Sequence, residues 1–246
     1  MKKRFGIMAA VFLALIAPAE MRSWTTRSGE TLEGEYVSLL FDQIVLKTPA
    51  GNRSKVPLAE VSPADRTYVE LANPPELTVD FLESADQVIV KPSPIWVNSS
   101  PVTRLEHSFG ARIKKTSVKE YPHDLTVEVF AFAQQIYDPS KYRLIFRSTS
   151  EPFRLTAEGR YRFEYRDAKS VPLTRYLLSG KYPRGQKMAE SLVLVRDERG
   201  EIIAYNTTKN WLYTNLEKLM DIPVGGWMDK TCTRRHPTSP RPTWLD

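Results

Sequence analysis

Side-chain character along this chain alternates with a period of two far more often than with a period near 3.6, and that alternation most limits the folds open to it. From Thr31 to Phe41 the residues divide between two faces, Val37, Leu39 and Phe41 on one and Gly34, Tyr36 and Ser38 on the other. The first face is expected to point into a core, which would leave Tyr36 as an exposed aromatic. Ile44 and Leu46 share a face of the next stretch, and Thr48-Pro49-Ala50-Gly51-Asn52 supplies a tight connection. Farther on, Leu77–Leu82, Val88–Val90 and Ile95–Val97 are short β-type runs between polar or proline-bearing breaks. Leu125–Phe132 is apolar on both faces, which predicts a central, doubly covered strand. Tyr142–Phe146, Arg160–Tyr165, Arg175–Gly180 and Ser191–Val195 add strands, and Leu192–Val195 with Ile202–Tyr205 reads as a hairpin across the turn Arg196–Gly200.

Helices have little room among 18 prolines. One is expected from Ser62 to about Ala72, because Ser62 can accept from the Asp65 amide, Pro63 suits the first helical position and Asp65 favours the positive helix end. Asn73-Pro74-Pro75 stops it and marks a domain boundary. A second is expected after the cap residues Asn206-Thr207-Thr208, with Leu212, Leu216 and Leu219 along one face, ending at Pro223 and Gly225-Gly226. The class is therefore mainly β: a small barrel over residues 20–72, then a larger antiparallel β-sandwich-like domain over 75–228 with one C-terminal helix, and an extended Pro/Arg tail over 229–246.

Met1-Lys2-Lys3-Arg4, the apolar run to Ala17 and the small residues Ala17-Pro18-Ala19 read as a secretory signal peptide over residues 1–19. The run is short of the ~20 residues that span a bilayer, so a secreted or periplasmic protein is expected, with no transmembrane segment after cleavage. The formal charge of +6 includes Lys2, Lys3 and Arg4. What remains basic is spread along the second domain rather than clustered, so a nucleic-acid partner is not expected. The single cysteine, Cys232, has no internal disulfide partner.

The order Arg22-Ser23-Trp24-Thr25, a turn at Gly29, the alternating Thr31–Phe41, Gln43–Lys47, a second turn at Pro49 and Gly51, Val56-Pro57-Leu58 and Val61-Ser62-Pro63-Ala64-Asp65 resembles the SLA1 homology domain 1 family over residues 22–71. The resemblance implies a small SH3-like β-barrel and a protein-binding, adaptor-type role. SH3-like barrels hold extended peptides on aromatic-floored surfaces. Trp24, Tyr36 and Tyr68 are the candidate binding residues, Trp24 being also the natural core residue of so small a barrel.

Catalytic chemistry finds little support. Three histidines, His107, His123 and His236, are few for metal or acid–base schemes, and Cys232 with His236 lacks the further ligands of a structural zinc site. No phosphate-cradling loop, Ser-elbow or zinc-protease motif occurs. Asp197-Glu198 falls in a turn, where solvated charge is the simpler reading, and the aromatic-basic strand around Tyr161 and Phe163 reads as core on one face or as a stacking platform. No catalytic residue, metal or cofactor is assigned. The expected function is an exported, non-enzymatic binding protein whose partner is a protein, a peptide or a cell-envelope polymer. The alternative is a secreted hydrolase, acting on polysaccharide, with the barrel as an accessory module.

Overall fold

The computed structural model describes residues 21–89, 102–117, 120–178 and 182–236. The expected signal peptide, the run Ile95–Val97, Val90 and the tail beyond His236 lie outside the described residues. The chain is mainly β, all strand pairs among the described residues are antiparallel, and it divides into two compact units. One contains the described residues through Pro75 together with the segment ending at His123. The other contains 76–117 and the chain from Asp124 onward.

In the small unit, β1 (Met21–Thr25), β2 (Thr31–Leu40), β3 (Gln43–Lys47) and β4 (Arg53–Pro57) pair in sequence order. A short 3-10 turn, Leu58–Glu60, then brings Val61 back to bridge Thr26. Helix α1 (Pro63–Ala72) follows, capped by Ser62, whose hydroxyl accepts from the Asp65 amide at 3.2 Å. Trp24, Ile44, Leu46, Val56, Val61 and Val69 form the core, with Tyr36, Leu39, Leu58 and Tyr68 packed against it.

The face assignment within β2 needs correction. Tyr36 pairs with Leu46 but Ser38 pairs with Val45, so Val37 is an extra, bulged residue. The bulge reverses the alternation, so that Leu39 faces the core as expected but Tyr36 before it also turns partly inward and Val37 is exposed, while Phe41 is exposed in the turn beyond the strand. Phe41 and Asp42 form the two-residue turn into β3, both with positive φ (47° and 60°), as hairpin twist requires.

The larger unit comprises β5 (Leu77–Ile89), β6 (Thr103–Lys115), β7 (Leu125–Gln135), β8 (Tyr142–Thr149), β9 (Arg162–Leu178), β10 (Tyr182–Asp197), β11 (Ile202–Thr207), α2 (Asn210–Thr214), α3 (Leu216–Met220), β12 (Trp227–Met228) and β13 (Arg234–Arg235). Their order across the sheet is β13-β12-β8-β7-β10-β9-β6-β5, with β11 beside β10. The path bends at β10, where Tyr182–Gly185 pair with β9 and Gln186–Asp197 pair with β7. Gly185 makes this possible: its φ is +101°, and a Cβ there would lie 1.9 Å from the Thr174 carbonyl oxygen. Gly110 plays a similar part where β9 bulges against β6, since a Cβ would meet the Tyr165 carbonyl at 2.2 Å. The two halves of the bent sheet face one another, and Phe109 of β6 packs on Phe146 of β8 at 5.2 Å. On the far side the Asn206 amide donates to the Val79 carbonyl at 2.6 Å, tying β11 to β5.

Several element boundaries differ from those read in the sequence. Leu77–Leu82 and Val88 belong to one strand, β5, whose polar middle is tolerated because Glu83 to Val88 are exposed. The runs from Arg162 and from Arg175 are likewise one strand, β9, while Arg160 and Tyr161 turn with positive φ. The C-terminal helix is two five-residue helices broken at Asn215, whose side chain donates to the Trp211 carbonyl at 2.8 Å. Asn206 ends in β11 rather than capping a helix. Residues 229–236 are not simply extended: Asp229 accepts from Thr231, Thr233 and Arg235 and folds β12 onto β13. Asp197 is buried, not solvated, and holds the β10–β11 turn by accepting from the amides of Arg199 and Glu201.

Candidate binding site on the small unit

The three aromatic residues picked out in the sequence come together. Trp24 on β1, Tyr36 on β2 and Tyr68 on α1 stand with ring centroids 5.7–6.1 Å apart, and Tyr68 is edge-on to both of the others. Trp24 is fully buried, and its indole N–H donates to the Gly34 carbonyl at 2.9 Å. It is therefore the floor of the cluster and not a contact surface, whereas Tyr36 and Tyr68 are half-buried. Edge-to-face packing on a rigid floor fixes the two tyrosine rings before anything binds, so little side-chain entropy is left to lose.

A charged pair completes the arrangement. The Arg22 guanidinium lies 4.3 Å from the Tyr68 ring centroid and 5.4 Å from that of Trp24. Its Nη2 and Nε donate to Asp65 Oδ1 at 2.8 and 3.1 Å. Asp65 also accepts at Oδ2 from the Thr25 amide at 2.9 Å and the Ser62 hydroxyl at 2.8 Å. Burial pushes the Asp65 carboxyl up, but the donors from Thr25, Ser62 and Arg22 outweigh it and hold the group below its ordinary range. One carboxylate thus links β1 to the start of α1, and Arg22 is held over the Tyr68 ring as a result.

Asn73, just after α1, donates from one amide nitrogen to the Tyr36 hydroxyl at 2.5 Å and to the Val69 carbonyl at 2.6 Å. Burial raises the Tyr36 phenol above its usual value, more than the Asn73 contact lowers it. The Tyr68 hydroxyl bonds to no described residue. The surface therefore offers two fixed aromatic rings, one guanidinium edge and one open phenol, a set suited to an extended chain with apolar and hydrogen-bonding groups. The same unit also includes His123, whose Nε2 lies 3.1 Å from Glu70 Oε2 on α1. Arg22 and Asn73 escaped the sequence reading as site residues, and Asp65 was read only as a cap. Their partners lie as far as 43 residues away, and nothing local marks them.

Several groups of the kinds used in catalysis are engaged structurally. In the larger unit, the Ser148 hydroxyl is shared between the Tyr165 phenol and the Asp167 carboxylate at the β9 bulge, and Asp167 also accepts from the Lys169 amide at 2.8 Å. These bonds, Ser148 first, hold the Asp167 carboxyl below its ordinary range, which makes it a poor proton acceptor for activating the serine. Phe163 lies flat on Phe153 at 3.6 Å and Lys115 sits over Tyr161, so that strand is no open stacking platform. Cys232 is buried, and burial pushes its thiol up to about 11. His236 is exposed. Among the described residues no three His, Cys, Asp or Glu side chains are placed to hold a metal, and no helix is long and apolar enough to cross a membrane.

No protein-family model matches the sequence, and no curated protein matches it. A solved structure from Akkermansia muciniphila aligns with 55% of this chain and 73% of its own, at 11% identity and a TM-score of 0.20, a likeness too low to argue from.

Proposed function

We propose that this chain is an exported, non-enzymatic binding protein whose small unit holds an extended peptide or protein segment against Tyr36, Tyr68 and Arg22. One observation carries the reading: two half-exposed tyrosines stand fixed on a buried tryptophan, with a guanidinium stacked beside them. Such a surface supplies contact area at low entropic loss, as aromatic-floored peptide sites do. The resemblance of residues 22–71 to SLA1 homology domain 1 points to the same kind of work. Export would place the partner among envelope or extracellular proteins.

The test is a screen of the full chain against displayed extended peptides from envelope and secreted proteins, followed by titration calorimetry. Tyr68→Ala is expected to weaken the selected peptide at least tenfold while leaving the larger unit folded. A selected ligand that binds the Tyr36→Ala/Tyr68→Ala variant as tightly as the parent would place recognition elsewhere and refute the assignment.

A further inference from the structure

The edge of β5 is built differently from the other edges in the protein. In the small unit, the amide and carbonyl of Thr25 at the end of β1 are taken by Asp65 and Ser62, and β4 carries Lys55 and Pro57, residues that keep an edge from pairing. β13 has only two residues. β5 has thirteen and, among the described residues, pairs on one side only, with β6. The Glu76 carbonyl accepts from the Thr116 amide, so even-numbered positions of β5 direct their backbone groups toward β6. Odd-numbered positions direct theirs outward, as the Asn206 bond to the Val79 carbonyl shows. Beyond Val79, the outward backbone groups of Phe81, Glu83, Ala85, Gln87 and Ile89 meet no partner among the described residues. Glu83 to Val88 are all exposed.

We propose that this edge pairs with the same edge of a second copy, antiparallel about a two-fold axis at Ala85, so that the two large sheets become one. The edge is close to self-complementary about Ala85, in the order Leu82-Glu83-Ser84-Ala85-Asp86-Gln87-Val88, which argues for a second copy as the occupant, and charge selects the register. Antiparallel pairing of outward positions allows axes only at a residue, and axes at Glu83 or Asp86 would set identical carboxylates against each other. An axis at Ser84 sets Asp86 against Leu82. With the axis at Ala85, Glu83 faces Gln87, Asp86 faces Ser84 and Leu82 faces Val88, so neither of these acids is directly opposite a like charge or an apolar residue, and the two Asp86 side chains meet only as diagonal neighbours at about 7–8 Å. The Glu83 carboxylate is moreover drawn to His107, with Nδ1 2.9 Å from Oε1, on the face of the sheet and away from the edge. In this register the five outward positions form narrow pairs throughout, giving about ten ladder hydrogen bonds.

Sedimentation velocity of the full chain over a dilution series, with Ala85→Pro beside it, tests the pairing. Proline at 85 removes an outward N–H and no bond to β6, so the fold is expected to persist while the dimer shifts to monomer. The register is read independently by oxidising Ser84→Cys/Asp86→Cys. Its cysteines face each other across the axis and should give a covalent dimer, whereas neither single variant should. Cys232 is buried and does not compete. If Ala85→Pro misfolds, the cross-linking decides. A parent chain that is monomeric at every concentration overturns the proposal, as does a dimer whose double-cysteine variant stays uncross-linked. A monomer that instead takes an added extended peptide on β5 would assign the edge to another chain and also overturns self-pairing.

Discussion

Replacing Asp65 separates the contributions that meet on one carboxylate. Asp65→Ala removes the acidic charge from the first turn of α1 and the acceptor of the Ser62 hydroxyl, together worth about 1 kcal/mol. It also leaves the Thr25 amide without its charge-assisted partner, a loss of about 1–2 kcal/mol. The Arg22 pair adds no more than about 1 kcal/mol, because the Arg22 side chain is 33% exposed and water can replace the carboxylate. These terms share one group and do not add fully, so the expected total is about 3 kcal/mol. Asp65→Asn keeps one carbonyl oxygen for Thr25 or Ser62 and loses the charge, for an expected loss of about 1 kcal/mol. Hydrogen exchange of the α1 amides reads this locally, without requiring the two units to unfold together. The pH dependence follows from the sign of the shift. A carboxyl held below its unfolded value contributes fully above that value, ~3.9, and its contribution is lost as pH falls through the lower folded value. The gap between the parent and Asp65→Asn should therefore close in strong acid. If Asp65→Ala and Asp65→Asn open α1 equally at neutral pH, the Thr25 and Ser62 bonds do not matter and the reasoning fails.

Gly185→Ala forces a Cβ into the Thr174 carbonyl at a positive φ, and is expected to destabilise the larger unit by more than about 3 kcal/mol; unchanged thermal unfolding would show that the β10 crossing is not tight. Replacing Phe41-Asp42 by Asn-Gly relieves two non-glycine residues at positive φ, and Phe41, 99% exposed, loses no packing. A gain of about 1 kcal/mol in the small unit is expected in urea unfolding, and a loss would mean that the Phe41 ring makes contacts that stabilise the turn.

How much the sequence revealed depended on how local the determinants were. The α1 start was legible because Ser62, Pro63 and Asp65 act within one turn, and Leu125–Phe132 announced a central strand because both of its faces are covered. Leu39 faces the core as expected, but the faces of β2 before it were misread because one inserted residue, Val37, reverses the alternation there and lets Tyr36 face inward too, and no composition rule marks a bulge. β5 was read as fragments because an edge strand needs no apolar alternation across its exposed half. The C-terminal helix was read as continuous because Leu212, Leu216 and Leu219 keep helical spacing through a break made by Asn215. At the site, the aromatic residues could be named from the sequence. Their grouping with Arg22, Asp65 and Asn73 could not, since it depends on pairings between distant strands and α1.

The bend at β10 also sets an order of assembly. β7, the most apolar strand, emerges from synthesis beside β8 and can form that hairpin at once, but its other neighbour is β10, which follows only after β9. β9 in turn must reach back past β7 and β8 to pair with β6. Until β10 arrives, one side of β7 lacks its strand partner while both of its faces are still uncovered. Folding should therefore be slow relative to the length of the larger unit, and protection against aggregation is needed most in the interval between the completion of β8 and that of β10.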